Sequence, residues 1–302
     1  MSATLLEELT LDAWNPVLAA AAQAAATDAL EAGRILYLPR LEFALLPHEQ
    51  RFLSAEWSDG ETKNINLRGG ERRLRGARGG SDDLARMQAM MERFSGQCAT
   101  LIGALLPHYV PHLTLASTSF RPCEVAGRKS SYRKDDARLH TDAFPSNPTG
   151  GARVLRVFTN LNPEGKPRAW RVGEPFADMA ARFLPRARRA WPGEAQLLRA
   201  LRVTKRSRSE YDHLMLQLHD RVKADAGYQQ QAPQERIDFP VGSTWIVFSD
   251  QVLHAAMSGQ FVMEETLMLP VSGMRAPETS PIRVLERMTG QRLARPWRRR
   301  EE

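Results

Sequence analysis

The spacing of hydrophobic positions changes along the chain. Residues 15–32 read as an Ala-rich helix ended by Gly33, and Arg34–Leu38 (RILYL) as a strand stopped by Pro39. LPHEQRFLS, around 46–54, has the form of a second helix start. Residues 58–80 are rich in Gly and Arg without a period, which predicts a loop or a mobile flap. From Ser81 through about Leu106, the residues Leu84, Met87, Met91, Phe94, Cys98, Leu101 and Leu105 keep helical spacing, and Ser81, Asp82 and Asp83 suit the N-terminus. His112–Phe120, after Pro111, is strand-like.

The second half is different. Residues 152–161 (ARVLRVFTNL), 236–248 (RIDFPVGSTWIVF) and 261–270 (FVMEETLMLP) are β-branched and aromatic, with Gly and Pro as punctuation. A helical insert is expected over 174–227, with Ser209 and Asp212 as a capping box and Leu214, Met215, Leu218 and Val222 as its apolar stripe. The pattern is α+β, with one β-rich core rather than βαβ units. The expected organisation is a single domain over 1–302: a mainly helical part to 110, a core over 111–275 carrying the insert, and a basic tail over 276–302.

Composition narrows the function classes. The 302 residues are 42% hydrophobic and 25% charged, an ordinary globular balance. The formal net charge is +7, and only six of the 42 basic residues are Lys. Arg suits planar contact with carboxylate and phosphate, so the charge fits nucleic acid, an anionic membrane surface or an acidic substrate, or else a solvated surface. Cys98 and Cys123 lack the spacing of a zinc or redox motif, and a reducing cytoplasm is expected. MSATLLEELTLDAW has acidic residues where a secretory signal carries positive charge, and Leu18–Leu30 is too short to span a bilayer.

Two features carry chemistry. His140 and Asp142 flank Thr141, and His254 follows the strand TWIVF. In an extended segment residues i and i+2 point the same way, so the pair can aim at one ion. Two His and one carboxylate leave open positions on a non-haem Fe(II). Seven His and 35 acidic residues give roughly one His-x-acid match by chance, so the pair alone also fits an ordinary loop His and a capping Asp. His108 with His112, and His213 with His219, lack the partners a metal needs. The second feature is Arg156, a charge inside a core-like strand. Strand parity puts Val154, Arg156, Phe158 and Asn160 on one face and Arg153, Leu155, Val157 and Thr159 on the other. A face turned to the metal would let Arg156 meet the far carboxylate of a dicarboxylate cosubstrate. The alternatives are an internal pair with Glu264 or Glu265, or Arg153 as anchor if the parity is reversed.

SYRKDDARLHTDAFPSNP, GGARVLRVFTNLNPEGKPRAWRVGE and GSTWIVFSDQVLHAAMSG resemble the 3-deoxy-D-manno-octulosonic acid (Kdo) hydroxylases. These are Fe(II)/2-oxoglutarate dioxygenases of lipopolysaccharide sugars. The resemblance runs from the ILYLP strand to about Arg275. It implies a double-stranded β-helix (jelly-roll, cupin-like) core, with His140, Asp142 and His254 as metal and catalytic ligands. It also implies Fe(II), 2-oxoglutarate and O2 as requirements, and hydroxylation at C3 of the outer Kdo of Kdo2-lipid A. Many relatives in the wider superfamily carry the 2-oxoglutarate Arg about ten residues after the distal His. Here GQFVMEETLM has none, and Arg275 is the first Arg beyond it. The cosubstrate set is therefore Arg156, Arg153, Asn160 and Arg275.

The substrate so implied is anionic, and Tyr132, Arg133, Lys134, Arg138, Arg168 and Trp170 are the residues expected to meet it, with surface solvation as the alternative for each. The insert interleaves basic residues with Phe183, Trp191 and Leu197, a composition that can rest on an anionic bilayer. The expected partner is the lipopolysaccharide inner core at the inner membrane of a Gram-negative bacterium, reached from the cytoplasm, and no nucleic acid is expected. The competing readings are an Fe(II)/2-oxoglutarate oxygenase of another small molecule or a peptide, and a non-catalytic β-barrel module binding anionic lipid or nucleic acid.

Overall fold

The computed structural model describes residues 5–68, 73–127, 131–191 and 193–293. In chain order, β1 (Leu6–Glu8), α1 (Ala20–Glu31), β2 (Ile35–Leu38), β3 (Ile65–Arg68) and α2 (Ser81–Leu105) lead to β4 (Thr114–Arg121), β5 (Arg153–Asn160) and β6 (Arg168–Gly173). The insert follows as α3 (Phe176–Phe183), α4 (Glu194–Ala200), α5 (Glu210–Ala224) and α6 (Ala226–Gln231). Then come β7 (Gln234–Phe239), β8 (Thr244–Phe248), β9 (His254–Ser258), β10 (Val262–Leu269) and α7 (Pro281–Thr289). A seven-stranded sheet has the order β1-β2-β8-β5-β10-β4-β3, and a three-stranded sheet the order β7-β6-β9. The two sheets face each other, as the expected double-stranded β-helix requires.

Alternation along the strands separates the layers. The outward residues Leu155, Val157, Ile246, Phe248, Met263 and Leu267 of the large sheet share a core with Met87, Met91, Phe94, Cys98 and Leu101 of α2. Between the sheets, Phe158, Trp170, Phe239, Trp245 and Val247 form an aromatic interior, with Phe239 stacked on Trp245 at 4.2 Å. Outside the small sheet, α3 and α5 cover Leu253 and Ala255. The sandwich is therefore closed by apolar side chains within, and its polar residues collect at one open end.

The expected boundaries shift in four places. The first 110 residues contribute three strands to the large sheet, although their short runs show little alternation. One of them, β3, lies inside the expected 58–80 loop, where pairing with β4 compensates for weak local pattern; residues 69–72 lie outside the described ones. Residues 236–248 divide at Pro240–Gly242, with Gly242 at φ 75°, and the two halves enter different sheets. The 276–302 segment includes α7, whose Ile282, Val284 and Leu285 are buried against the insert, while residues 294–302 lie outside the described residues. The capping box of α5 forms as expected: Ser209 accepts from the Asp212 amide, and Asp212 accepts from that of Ser209.

Candidate metal centre

His140 and His254 lie across from each other on antiparallel backbone. The His140 amide donates to the His254 carbonyl at 2.9 Å, and the His254 amide returns the bond at 2.9 Å. Two residues on, the Asp142 amide donates to the Ser249 carbonyl at 2.8 Å, which seats the carboxylate beside both rings. One ligand atom from each of the three residues lies within 4.8 Å of the others. His140 Nδ1 sits 2.7 Å from the Arg138 carbonyl and His254 Nδ1 2.8 Å from that of Val252. A carbonyl can only accept, so both Nδ1 atoms carry the proton and both Nε2 lone pairs are left for a metal. Trp170 stacks on the His254 ring at 4.9 Å, and His219 meets the His140 ring edge-on at 5.4 Å.

The electrostatics suit a divalent cation. Burial, with the His254 ring beside it, holds the His140 imidazole well below its usual range, and burial lowers His254 as well. Both shifts favour the neutral ring, the form that can donate a lone pair to a cation. Burial alone would raise the Asp142 carboxyl; Arg156, His254 and His140 outweigh it and hold it below the usual range. Asp142 Oδ2 is buried and accepts no aligned hydrogen bond among the described residues, its one near cation being Arg156 as an ion-pair partner. Two neutral imidazoles and an ionised carboxylate with a spare lone pair are a donor set for a non-haem metal with open positions.

These residues sit in a cleft of about 2270 Å³. Arg156 reaches it as strand parity predicts, and both its arms meet carboxylates: Nη2 lies 3.1 Å from Asp142 Oδ2 and Nη1 2.6 Å from Glu264 Oε1. Arg121, on β4, also holds Glu264, through Nε at 2.7 Å. Arg168 differs. Its guanidinium is buried, and one nitrogen donates to the Gly259 carbonyl at 2.6 Å. No carboxylate pairs with it among the described residues, and burial together with Arg121 pulls its pKa down to about 10. Two positions along the same face of β6, the Trp170 indole N–H is buried with no acceptor among the described residues.

Four of the expected residues lie outside the cleft lining. Arg153 lies on the outer face of β5, fully buried over Phe248, with Nε 2.8 Å from Asp250 and Nη2 2.6 Å from Gln251. Asn160 spends its side chain on the Lys166 and Phe239 carbonyls and the Asn162 amide. Arg275 lies 3.7 Å from Asp28 on α1, outside the cleft lining. Arg138 donates to the Lys223 carbonyl and pairs with Asp135 outside the cleft lining. Tyr132, Arg133, Lys134, Arg168 and Trp170 do line the cleft, although Arg133 is also 2.9 Å from Asp220. Sequence reasoning missed Arg121, Asp136, Lys63 and His219. Of these, Arg121 was within reach, because it follows Ser117 and Ser119 on the inward face of β4.

A family model described as 3-deoxy-D-manno-oct-2-ulosonic acid (Kdo) hydroxylase matches residues 13–292. Among solved structures, the chain is similar to the Kdo hydroxylase KdoO, a non-heme Fe(II) alphaketoglutarate-dependent dioxygenase. The KdoO complex with alphaketoglutarate and Fe(III) is 44% identical, with TM-score 0.93, and the match covers 96% of this chain and 98% of that one. The cobalt(II) complex is 44% identical with TM-score 0.95, covering 98% and 100%. The complex with succinate and Fe(III) is 43% identical with TM-score 0.94, at the same coverage. No curated protein sequence matches. With the match spanning nearly the whole chain and the three-residue donor set assembled in its cleft, the chain belongs to the Kdo hydroxylase family.

Proposed function

We propose that the chain, as one dioxygenase domain, hydroxylates C3 of the outer Kdo of Kdo2-lipid A, using Fe(II), 2-oxoglutarate and O2. The observation that carries this reading is the convergence of His140, Asp142 and His254 in an Arg-lined cleft of a Kdo hydroxylase fold. Iron held there supplies the oxygen chemistry: one atom of O2 goes to succinate as 2-oxoglutarate loses CO2, and the other becomes the sugar hydroxyl.

The remaining work is positioning. Arg156 holds Asp142 on one arm and Glu264 on the other, so the carboxylate ligand cannot swing away. Arg168 and the Trp170 N–H are buried beside the candidate ligands with no anionic partner among the described residues, and a dicarboxylate beside the metal would satisfy both. We therefore assign the far carboxylate of 2-oxoglutarate to Arg168, in place of the Arg156 expected from strand parity. The sugar carboxylate then meets Lys134, Arg133 and Tyr132 at the outer wall. Among the described residues, no helix is long and apolar enough to cross a membrane.

Succinate release tests the reading. Turnover should require iron and rise on addition of Kdo2-lipid A, but not with free Kdo or peptides. His140→Ala, Asp142→Ala and His254→Ala should each abolish it while circular dichroism stays unchanged. Turnover by Asp142→Ala at the wild-type rate would refute the ligand set.

A further inference from the structure

Eleven large hydrophobic side chains are exposed among the described residues, and four of them fall within thirteen positions: Trp191 (71% exposed), Leu197 (59%), Leu201 (64%) and Val203 (49%). They lie on α4 and its two flanks. Leu197 and Leu201 are four apart, so they stand on one side of the helix, one turn from each other. Arg188 lies over the Trp191 ring at 5.3 Å, but the four belong to none of the apolar cores, although the neighbouring helices α3 and α5 bury their own apolar faces.

The charge around them is as uneven as the hydrophobicity. Residues 186–208 hold eight basic side chains against the single acid Glu194, an excess equal to the +7 of the whole chain. Glu194 is already engaged by Arg188 at 3.0 Å. Arg189, Arg199, Arg202 and Arg206 have no carboxylate partner among the described residues. Exposed apolar side chains ringed by unpaired guanidinium groups are what an anionic bilayer surface takes: the apolar groups enter the acyl boundary while the cations rest among the headgroups. The position also fits. Arg188, Lys205, Arg206 and Arg208, from the same segment, form part of the wall of the cleft that holds His140, Asp142 and His254. The Lys205 amide donates to the Ser146 carbonyl at 3.0 Å, four residues after Asp142, so the segment lies within about 14 Å of chain from the metal ligand.

We propose that the described residues of the 188–206 segment, with Trp191, Leu197, Leu201 and Val203 at the tip, form the surface by which this protein docks on an anionic lipid bilayer. Docking turns the mouth of the cleft toward the headgroups. The value of that orientation rests on the reading of the substrate as a lipid-anchored sugar, whereas the docking itself does not.

The test is co-sedimentation of the full chain with vesicles that contain no lipopolysaccharide. The wild type should bind phosphatidylglycerol-containing vesicles about tenfold or more better than pure phosphatidylcholine vesicles, and high salt should release it. The triple variant Trp191→Ser, Leu197→Ser, Leu201→Ser changes exposed positions only, and should lose about tenfold or more in vesicle binding. The double variant Arg199→Glu, Arg202→Glu should lose the preference for anionic lipid. On Kdo2-lipid A dispersed in detergent the triple variant should turn over like the wild type; on the same lipid in vesicles it should be slower. Vesicle binding by the triple variant equal to wild type would overturn the proposal. So would light scattering that shows this face joining two copies, or duplex DNA displacing the protein from vesicles. Failure of the wild type to oxygenate dispersed lipid would refute the catalytic reading, and vesicle binding would still decide the docking surface.

Discussion

Arg153 and Arg168 are buried and Arg156 is partly so, and each answers to different neighbours. Arg153 meets Asp250 and Gln251 on the outer face of β5, Arg156 bridges two carboxylates in the cleft, and Arg168 has only a carbonyl among the described residues. Replacing each by Met should therefore have separate consequences. Arg168→Met leaves no carboxylate stranded; it should raise KM for 2-oxoglutarate about 10–100-fold, the loss of one charge-assisted pair, with melting temperature unchanged. Arg156→Met frees Asp142 and should show first as weaker iron binding by titration. Arg153→Met strands Asp250 inside the protein; it should cost about 3–5 kcal/mol in urea unfolding while KM for 2-oxoglutarate stays constant.

Glu265 gives a pH signature at the same scale. Its neighbour Glu264 turns into the cleft to two Arg residues, while Glu265 turns outward toward α2, where Ser95 and Thr118 donate to it at 2.7 Å each. Burial raises its pKa to about 7, against the two hydroxyls and with no cation beside it. A carboxyl whose pKa is raised in the folded state binds its proton more tightly there than in the unfolded chain. Its contribution to stability is full below the unfolded pKa and is lost as pH rises through the folded value. Wild-type stability should thus fall between about pH 4.5 and pH 7 relative to Glu265→Gln, and the variant should be the more stable at pH 8. Unfolding curves at both ends of that window check it; a parallel slope in the two proteins would refute the assignment.

At the scale of elements, α5 ties the insert to the site. Asp212 closes its capping box, and its Oδ1 also accepts from the Thr149 amide at 2.8 Å and the Gly150 amide at 3.1 Å, in the turn between the candidate ligands His140 and Asp142 and β5. Ser209→Ala should cost about 1 kcal/mol and little activity. Asp212→Ala should cost more and lower kcat, because the turn that feeds β5 loses its anchor. Equal effects of the two on thermal unfolding and kcat would contradict this role. The long elements were legible in the sequence because their periods are strong: α2, β5, β8 and β10 lie where the pattern puts them. So was the inward turn of Arg156, since parity needs only one correct face. The missed strands, β1, β3, β6 and β9, are three to six residues long and owe their form to sheet partners distant in sequence, and α7 lies in what reads as a basic tail. The carboxylates that claim Arg156, and the absence of one at Arg168 among the described residues, depend on how β4, β6 and β10 meet, and no local pattern encodes that.

At the scale of the whole molecule, the sandwich divides its interior in two. Aromatic rings fill one end, and alternating charges fill the other, from Lys63 and Asp136 through Arg121, Glu264 and Arg156 to Asp142. The first end fixes the distance between the sheets, and the second keeps the candidate metal ligands polar and oriented without closing the cleft. The insert adds the cationic wall and the apolar tip, so the catalytic core and the proposed docking surface come from different parts of one chain. The central claim is oxygen transfer to the outer Kdo, and isotopically labelled O2 tests it most directly. Purified protein, iron, 2-oxoglutarate and Kdo2-lipid A are incubated under labelled O2, and the lipid is fragmented by mass spectrometry. One labelled oxygen at C3 of the outer Kdo, with one labelled oxygen in succinate, is the predicted result. Labelled succinate with an unchanged lipid, or label in the inner Kdo, would contradict it.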